Sequence, residues 1–177
     1  MVTNPSEVAA LRSRFDLERL PLEGGYFRQT WRGEPGPDGR PAGTAILVLL
    51  STEDDQFSAM HRLPTDEIWH FHSGDPVELL LLHEGDGSHD KRVLGDATEG
   101  HVPQLVVPAG AWMGGRPDGD IGWSMFSCTM TPGFLPSDYE GGDRDDLTSR
   151  FPDAADDIAR LTRVGEPLRH PEPPPGR

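Results

Sequence analysis

The stretch Phe57-Ser-Ala-Met-His61-Arg-Leu-Pro-Thr-Asp-Glu67-Ile-Trp-His-Phe-His72-Ser-Gly74-Asp-Pro76 decides the fold. A loop carrying Pro64 separates His61 from a strand that opens with Glu67 and closes at a Gly74-Asp75-Pro76 turn. Side chains on a strand alternate between its faces, so Glu67, Trp69 and Phe71 share one face while Ile68, His70 and His72 share the other. One face thus gathers a carboxylate and two aromatic rings, as a strand facing an interior would.

The same rhythm continues outward. From residue 44, short apolar and aromatic runs (44–50, 67–72, 77–83, 104–108, 121–130) are separated by Gly, Pro and Asp clusters, the pattern of a β-sandwich or barrel. A second informative segment, Pro103-Gln104-Leu-Val-Val-Pro108-Ala-Gly110-Ala-Trp112-Met113, reads as a strand ending in a tight Pro-x-Gly turn. Gly85-Asp-Gly87 and the Gly114–Gly119 segment read as hairpin or barrel-rim turns. Upstream, Asn4-Pro5-Ser6-Glu7 is a helix start with Asn4 as cap, followed by Val8, Leu11 and Phe15 on one face. Residues 1–20 are expected to form an N-terminal helix packed on a barrel of residues 21–140, whose first strand begins near Tyr26. Glu34–Gly43 reads as a surface loop. Residues 141–166 are expected to form an acidic connection and a C-terminal helix from Asp153 to Thr162, with Ala154, Ile158 and Leu161 on one side. The Pro-rich residues 167–177 read as a disordered tail. No internal repeat is present.

Composition narrows the classes of partner. The chain has 177 residues, 34% of them hydrophobic, enough for one buried core. Thirty acidic against 16 basic residues give a formal net charge of -14, which repels nucleic acid and anionic membranes. The longest apolar runs fall far short of the ~20 residues that span a bilayer. The N-terminus lacks a secretory pattern and Cys128, the single cysteine, has no partner for an internal disulfide; both point to the cytoplasm. Cys128 reads as a small buried thiol in a late strand. The acidic run Asp138–Asp146 lacks the spacing of an EF-hand loop and reads as a solvated connection.

His61, Glu67 six positions on and Gly74 seven beyond that resemble the second half of the first cupin motif, and Pro108-x-Gly110 the core of the second. Together with Glu23-Gly-Gly-Tyr26-Phe-Arg28, Asp66-Glu67-Ile-Trp69, Gln104, Trp112 and Cys128-Thr-Met-Thr-Pro132-Gly-Phe134, they resemble the Cupin_5 (DUF985) family over residues 15–140. The resemblance implies an all-β double-stranded β-helix, or jelly-roll barrel, with short terminal helices. It also implies an internal small-molecule pocket and a homodimer. It leaves the reaction open, because fold does not dictate chemistry.

Metal-binding cupins hold an ion with three histidines and a glutamate. At two of the corresponding positions this chain has Ala59 and Met113, and Met113 is a soft thioether poorly suited to a hard ion. His70 and His72 project from the face opposite Glu67, so a regular strand cannot aim all three at one ion. No cofactor is expected, with a divalent transition metal as the alternative. In a metal-free pocket, a carboxylate beside an imidazole suits proton abstraction and return. The expectation is therefore an isomerase or epimerase of a small polar, sugar-like metabolite, with His61 as acid/base and Glu67 orienting it. Tyr26, Arg62 and Gln104 are expected to bind its polar groups, and Trp69, Phe71, Trp112 and Met113 to line the pocket. The structural alternatives are that Glu67 pairs with Arg62 or that His61 satisfies a buried backbone group. A non-catalytic ligand-binding module and a metal-dependent dioxygenase or lyase remain the other classes.

Overall fold

The structure, a computed structural model, describes residues 5–171. In chain order its elements are α1 (Pro5–Phe15), β1 (Glu18–Arg19), β2 (Tyr26–Arg32), β3 (Thr44–Ser51), β4 (Ser58–Arg62), β5 (Glu67–Gly74), β6 (Val77–Leu82) and β7 (His89–Leu94). They continue with β8 (Gln104–Val107), β9 (Trp112–Pro117), β10 (Trp123–Met130), β11 (Glu140–Gly141), α2 (Arg144–Arg150) and α3 (Ala155–Arg160). The strands form two sheets in the orders β1-β2-β3-β10-β5-β8 and β11-β4-β9-β6-β7. All strand pairs within them are antiparallel. This is the two-sheet jelly roll that the strand rhythm anticipated.

The inner faces enclose one core, containing Val48, Leu50, Trp69, Val77, Leu79, Leu81, Val107, Met113 and Phe126. The apolar run in β6 is continuous rather than alternating because both its faces are covered: Leu79 and Leu81 face the barrel, while Leu80 and Leu82 pack with Leu147, Phe151 and Ile158 of the C-terminal segment. A strand buried on both faces loses the period-two signal. Val8 of α1 packs with Leu17, Tyr26, Leu49 and Met125 on the outside of the first sheet, flanked by Leu11 and Phe15. The expected Asn4 cap lies outside the described residues.

Four sequence expectations change. Gly114 and Gly115 are not rim-turn residues but lie inside β9. A Cβ on Gly114 would stand 3.2 Å from both the Met60 nitrogen and the Ser58 carbonyl of β4, a close approach of backbone that favours glycine. The Asp138–Asp146 segment is not a plain solvated connection. Asp143 caps α2 by accepting from the Asp146 N–H at 2.9 Å, and Asp145 and Asp146 sit in its first turn, where acidic groups favour the helix dipole. The helix expected over 153–162 is shorter, α3 being preceded by a 3₁₀ turn at Pro152–Ala154. The tail begins in ordered contact: the Leu168 carbonyl accepts from the Gly141 N–H at 2.7 Å. Residues 172–177, part of the expected disordered tail, lie outside the described residues. Among the described residues, no helix is long and apolar enough to cross a membrane.

Candidate functional site

A cavity of about 200 Å3 opens between the sheets, lined by apolar residues such as Leu20, Phe27, Ile46, Leu63, Met130 and Phe134, and by the polar Glu23, Gln29, Arg32, Thr44, Glu67 and Cys128. Glu67 opens β5 opposite Val107 on one side and Met130 on the other. The alternation read from sequence turns it, Trp69 and Phe71 inward. Trp69 stacks on Phe126 with ring centroids 4.5 Å apart, and its indole N–H donates to Glu67 Oε2 at 2.8 Å. Burial, reinforced by the nearby Glu23 charge, pushes the Glu67 carboxyl up to about 7, against the opposing effects of His61 and of donation from Trp69 and the Cys128 thiol. The Cys128 thiol is itself held well above the ordinary thiol range by burial and the neighbouring carboxylates.

Glu23 stands opposite as the second acidic group. It sits in a tight loop in which Gly24 and Gly25 adopt positive φ of 97° and 81°. A Cβ on Gly24 would meet the Arg163 guanidinium and the Phe57 carbonyl, each at 2.5 Å, so glycine is required there. The Glu23 carbonyl accepts from Ala59 N–H at 2.8 Å and from Arg163 Nη1 at 2.7 Å, which locks the loop against β4. Its carboxylate accepts from the Ser58 hydroxyl at 3.0 Å and lies 3.9 Å from His61 Nε2.

His61 is buried beside this pair. Its Nδ1 lies 2.7 Å from the Ala59 carbonyl, which can only accept, so Nδ1 carries the proton and Nε2 faces Glu23. The Tyr139 ring stacks on the imidazole with centroids 5.4 Å apart, and His170 meets Tyr139 edge-on at 5.3 Å. The three groups on which proton chemistry can run are therefore Glu67, Glu23 and His61. Only the first two line the cavity.

The structure separates the remaining expected site residues. Trp69, Phe71 and Met113 belong to the interior core beside the cavity. Tyr26 does not reach the rim: it is buried under α1, with the Arg12 guanidinium 4.0 Å above its ring. Gln104 is on the outer face, where its amide meets His70 Nδ1 at 3.0 Å, and His70 Nε2 meets the Thr129 hydroxyl. Arg62 does not pair with Glu67. It forks onto Glu140 at 2.8 and 3.0 Å and onto Glu84 at 2.9 Å, stacked over Trp112, whose N–H also donates to Glu84. Arg62 and Trp112 thus face the C-terminal segment, on the far side of β4 and β9 from the cavity.

The Cupin_5 model, described as Cupin superfamily (DUF985), matches residues 9–141, well over half of the chain. The chain is a member of the Cupin_5 family. This Cupin_5 protein is 30% identical to a protein of Shewanella oneidensis of known structure, over 92% of this chain and 99% of that one, with a TM-score of 0.80. It is 28% identical to a hypothetical protein from Leishmania major, over 91% and 99%, with a TM-score of 0.76. A variant of Bacillus subtilis oxalate decarboxylase superposes at a TM-score of 0.55 with 13% identity, over 92% of this chain and 42% of that one, which speaks to the fold alone. No curated protein matches the sequence.

The metal that many cupins carry does not fit this donor set. Ala59 and Met113 occupy two of the four ligand positions, and the Ala59 carbonyl is already taken by His61. Among the described residues, no three His, Cys, Asp or Glu side chains are grouped as an ion would require. Sequence reasoning included Glu23-Gly-Gly in the family pattern but gave Glu23 no role. A carboxylate followed by two glycines was the available signal.

Proposed function

We propose that the cavity is a proton-transfer site of the isomerase class, in which Glu67 takes up a proton from a small carbonyl compound and returns one to another atom or face. The observation that carries this reading is a buried carboxyl facing a largely apolar cavity and poised at about 7. A general base whose pKa lies near the working pH combines the right protonation state with a useful driving force. The sequence expectation gave His61 the acid/base part and Glu67 the orienting one; the cavity lining favours the reverse. Glu23 also lines the cavity, with its carboxylate held by the Ser58 hydroxyl at 3.0 Å and 3.9 Å from Nε2 of His61, whose ring is fixed through Nδ1 by the Ala59 carbonyl. In this scheme His61 is a positioning residue and touches no substrate.

The walls favour a compact, largely apolar body over a sugar. A polyhydroxylated ring would leave the hydroxyls that face Phe27, Ile46, Leu63 and Phe134, rather than the few polar lining groups, without partners, at a cost of roughly 1–3 kcal/mol for each unpaired group. The volume lies below the ~300–1,000 Å3 of sites for drug-sized ligands.

The test is solvent deuterium exchange. A panel of small ketones, aldehydes and 2-oxo acids is incubated in deuterium oxide with the protein, and loss of the C–H signal next to the carbonyl is followed by NMR. Exchange above background is expected for part of the panel, with an apparent pKa near 7 and at least a hundredfold loss in Glu67→Gln. No exchange across the panel, or undiminished exchange in Glu67→Gln, overturns the reading. The largely apolar lining favours a second reading, a non-catalytic binding module. It expects retained ligand affinity and no exchange in the wild-type protein.

A further inference from the structure

Phe27 and Gln29 of β2 face the cavity, opposite Val48 and Ile46 of β3. Strict alternation would turn Trp31 inward next and Arg32 outward. The register instead shifts between Gln29 and Trp31, so that Trp31 pairs with Ala45 and Arg32 with Thr44. Thr30 is the extra residue of a β-bulge, a device that re-aims the side chains beyond it and is common at barrel rims. Trp31 is consequently 54% exposed, its ring lying over Gly33 and Gly43, where a Cβ on Gly43 would stand 2.6 Å from it. Arg32 joins Thr44 in the cavity lining.

A guanidinium is thereby delivered to the mouth of a cavity whose walls are mostly apolar and whose other charged groups are Glu23 and Glu67. In a protein of net charge -14, arginines have many carboxylates to choose from: Arg40 takes Asp138, Arg62 takes Glu140 and Arg150 takes Asp146. Among the described residues Arg32 has no side-chain hydrogen bond, ion pair or ring contact. Its exposure contrasts with the burial of Glu67, which is 6% exposed, so the cation marks the outer end of the cavity and the carboxyl the inner end.

We propose that Arg32, turned inward by the bulge in β2, is the anchor for a carboxylate on the ligand, and that the cavity takes compact monocarboxylic acids whose apolar body extends inward toward Glu67. The planar fork of arginine matches a carboxylate through two parallel N–H donations. Gln29, on the same inward row, supplies an amide beside it. This inference rests on reading the cavity as the ligand site, and it adds the class of ligand and the residue that selects it.

The experiment is calorimetric titration of the full chain with butanoate, 3-methylbutanoate, 4-methyl-2-oxopentanoate and phenylacetate, each paired with its primary amide. The wild-type protein should bind at least one acid ten times or more tighter than its amide, with affinity falling as salt rises. Arg32→Gln should weaken that acid about 10-fold to 100-fold while leaving the amide unchanged, and Arg32→Glu should abolish acid binding. Arg32 is exposed at the cavity mouth and, among the described residues, no side-chain contact ties it to the fold, so unaltered thermal unfolding of both variants verifies the fold. Equal affinity for acid and amide, an Arg32→Gln affinity equal to wild type, or no binding by any acid overturns the proposal. Glu67→Gln separates the two readings: if it binds the acid as wild type does but neither protein exchanges deuterium, proton transfer fails and the carboxylate anchor stands.

Discussion

Replacing Glu67 by glutamine tests the electrostatics of the cavity without needing its ligand. The glutamine amide keeps the shape of the side chain and an oxygen that can accept the Trp69 N–H now given to Glu67 Oε2. It removes the charge that burial and Glu23 make costly. In the folded protein the carboxyl titrates near 7, above the ordinary 4.5. Between these values the folded state therefore binds more protons than the unfolded one. Because stability falls with pH wherever the folded state holds more protons, the contribution of Glu67 is complete below about 4.5 and is lost as pH rises through about 7. At about 1.36 kcal/mol for each pH unit between the two values, the loss is bounded at about 3 kcal/mol, a large share of a typical ~5–15 kcal/mol of folding free energy. Urea unfolding of both proteins from pH 4.5 to 8.5 reads it out together with its coupling to Glu23, His61 and Cys128, since groups that do not interact with Glu67 cancel in the difference. Glu67→Gln should match the wild type at the acid end and gain on it through neutrality, approaching about 3 kcal/mol by pH 8.5. A difference that is flat with pH, or one that grows toward acid, would refute the reasoning.

Three further outcomes follow from the packing. Asp75→Ala should cost about 2–4 kcal/mol in chemical denaturation, because the buried carboxylate accepts from the Ile121 and Gly122 N–H groups and its loss strands both donors. Gly74→Ala should be more damaging than an ordinary turn substitution, measured as soluble yield and melting temperature, since φ is 93° and the new Cβ would collide with the Trp123 carbonyl. Cys128 should resist a thiol reagent at pH 8 in the native protein and react promptly in denaturant, because the thiol is buried and its ionisation suppressed; rapid native labelling would contradict that burial.

The readable parts of this chain were those governed by local rules. Alternation from Glu67 to His72 placed each side chain of β5 on its observed face, because the pleat leaves no freedom once the strand is straight. Gly74 and Gly110, both at positive φ, announced turns for the same local reason. The elements that escaped notice carry weak local signals. β7, His-Asp-Lys-Arg-Val-Leu, is an edge strand with a mostly solvated outer surface, so charge hides it. β9 contains a glycine pair, Gly114 against β4 and Gly115 against β6, whose close approaches are visible only once the strands are side by side.

The candidate site divides along the same line. Sequence by itself placed Glu67 inward, put His70 and His72 on the opposite face, and set a family and a barrel around them. Tertiary structure alone brought Glu23, 44 positions earlier, into the cavity that Glu67 lines, took Arg62, Gln104 and Tyr26 away from it, and turned Arg32 inward by inserting one residue into β2. The physical reason is range. Periodicity and turn chemistry act over a few residues, whereas which side chains share a cavity depends on how the sheets close and on where a strand's register slips.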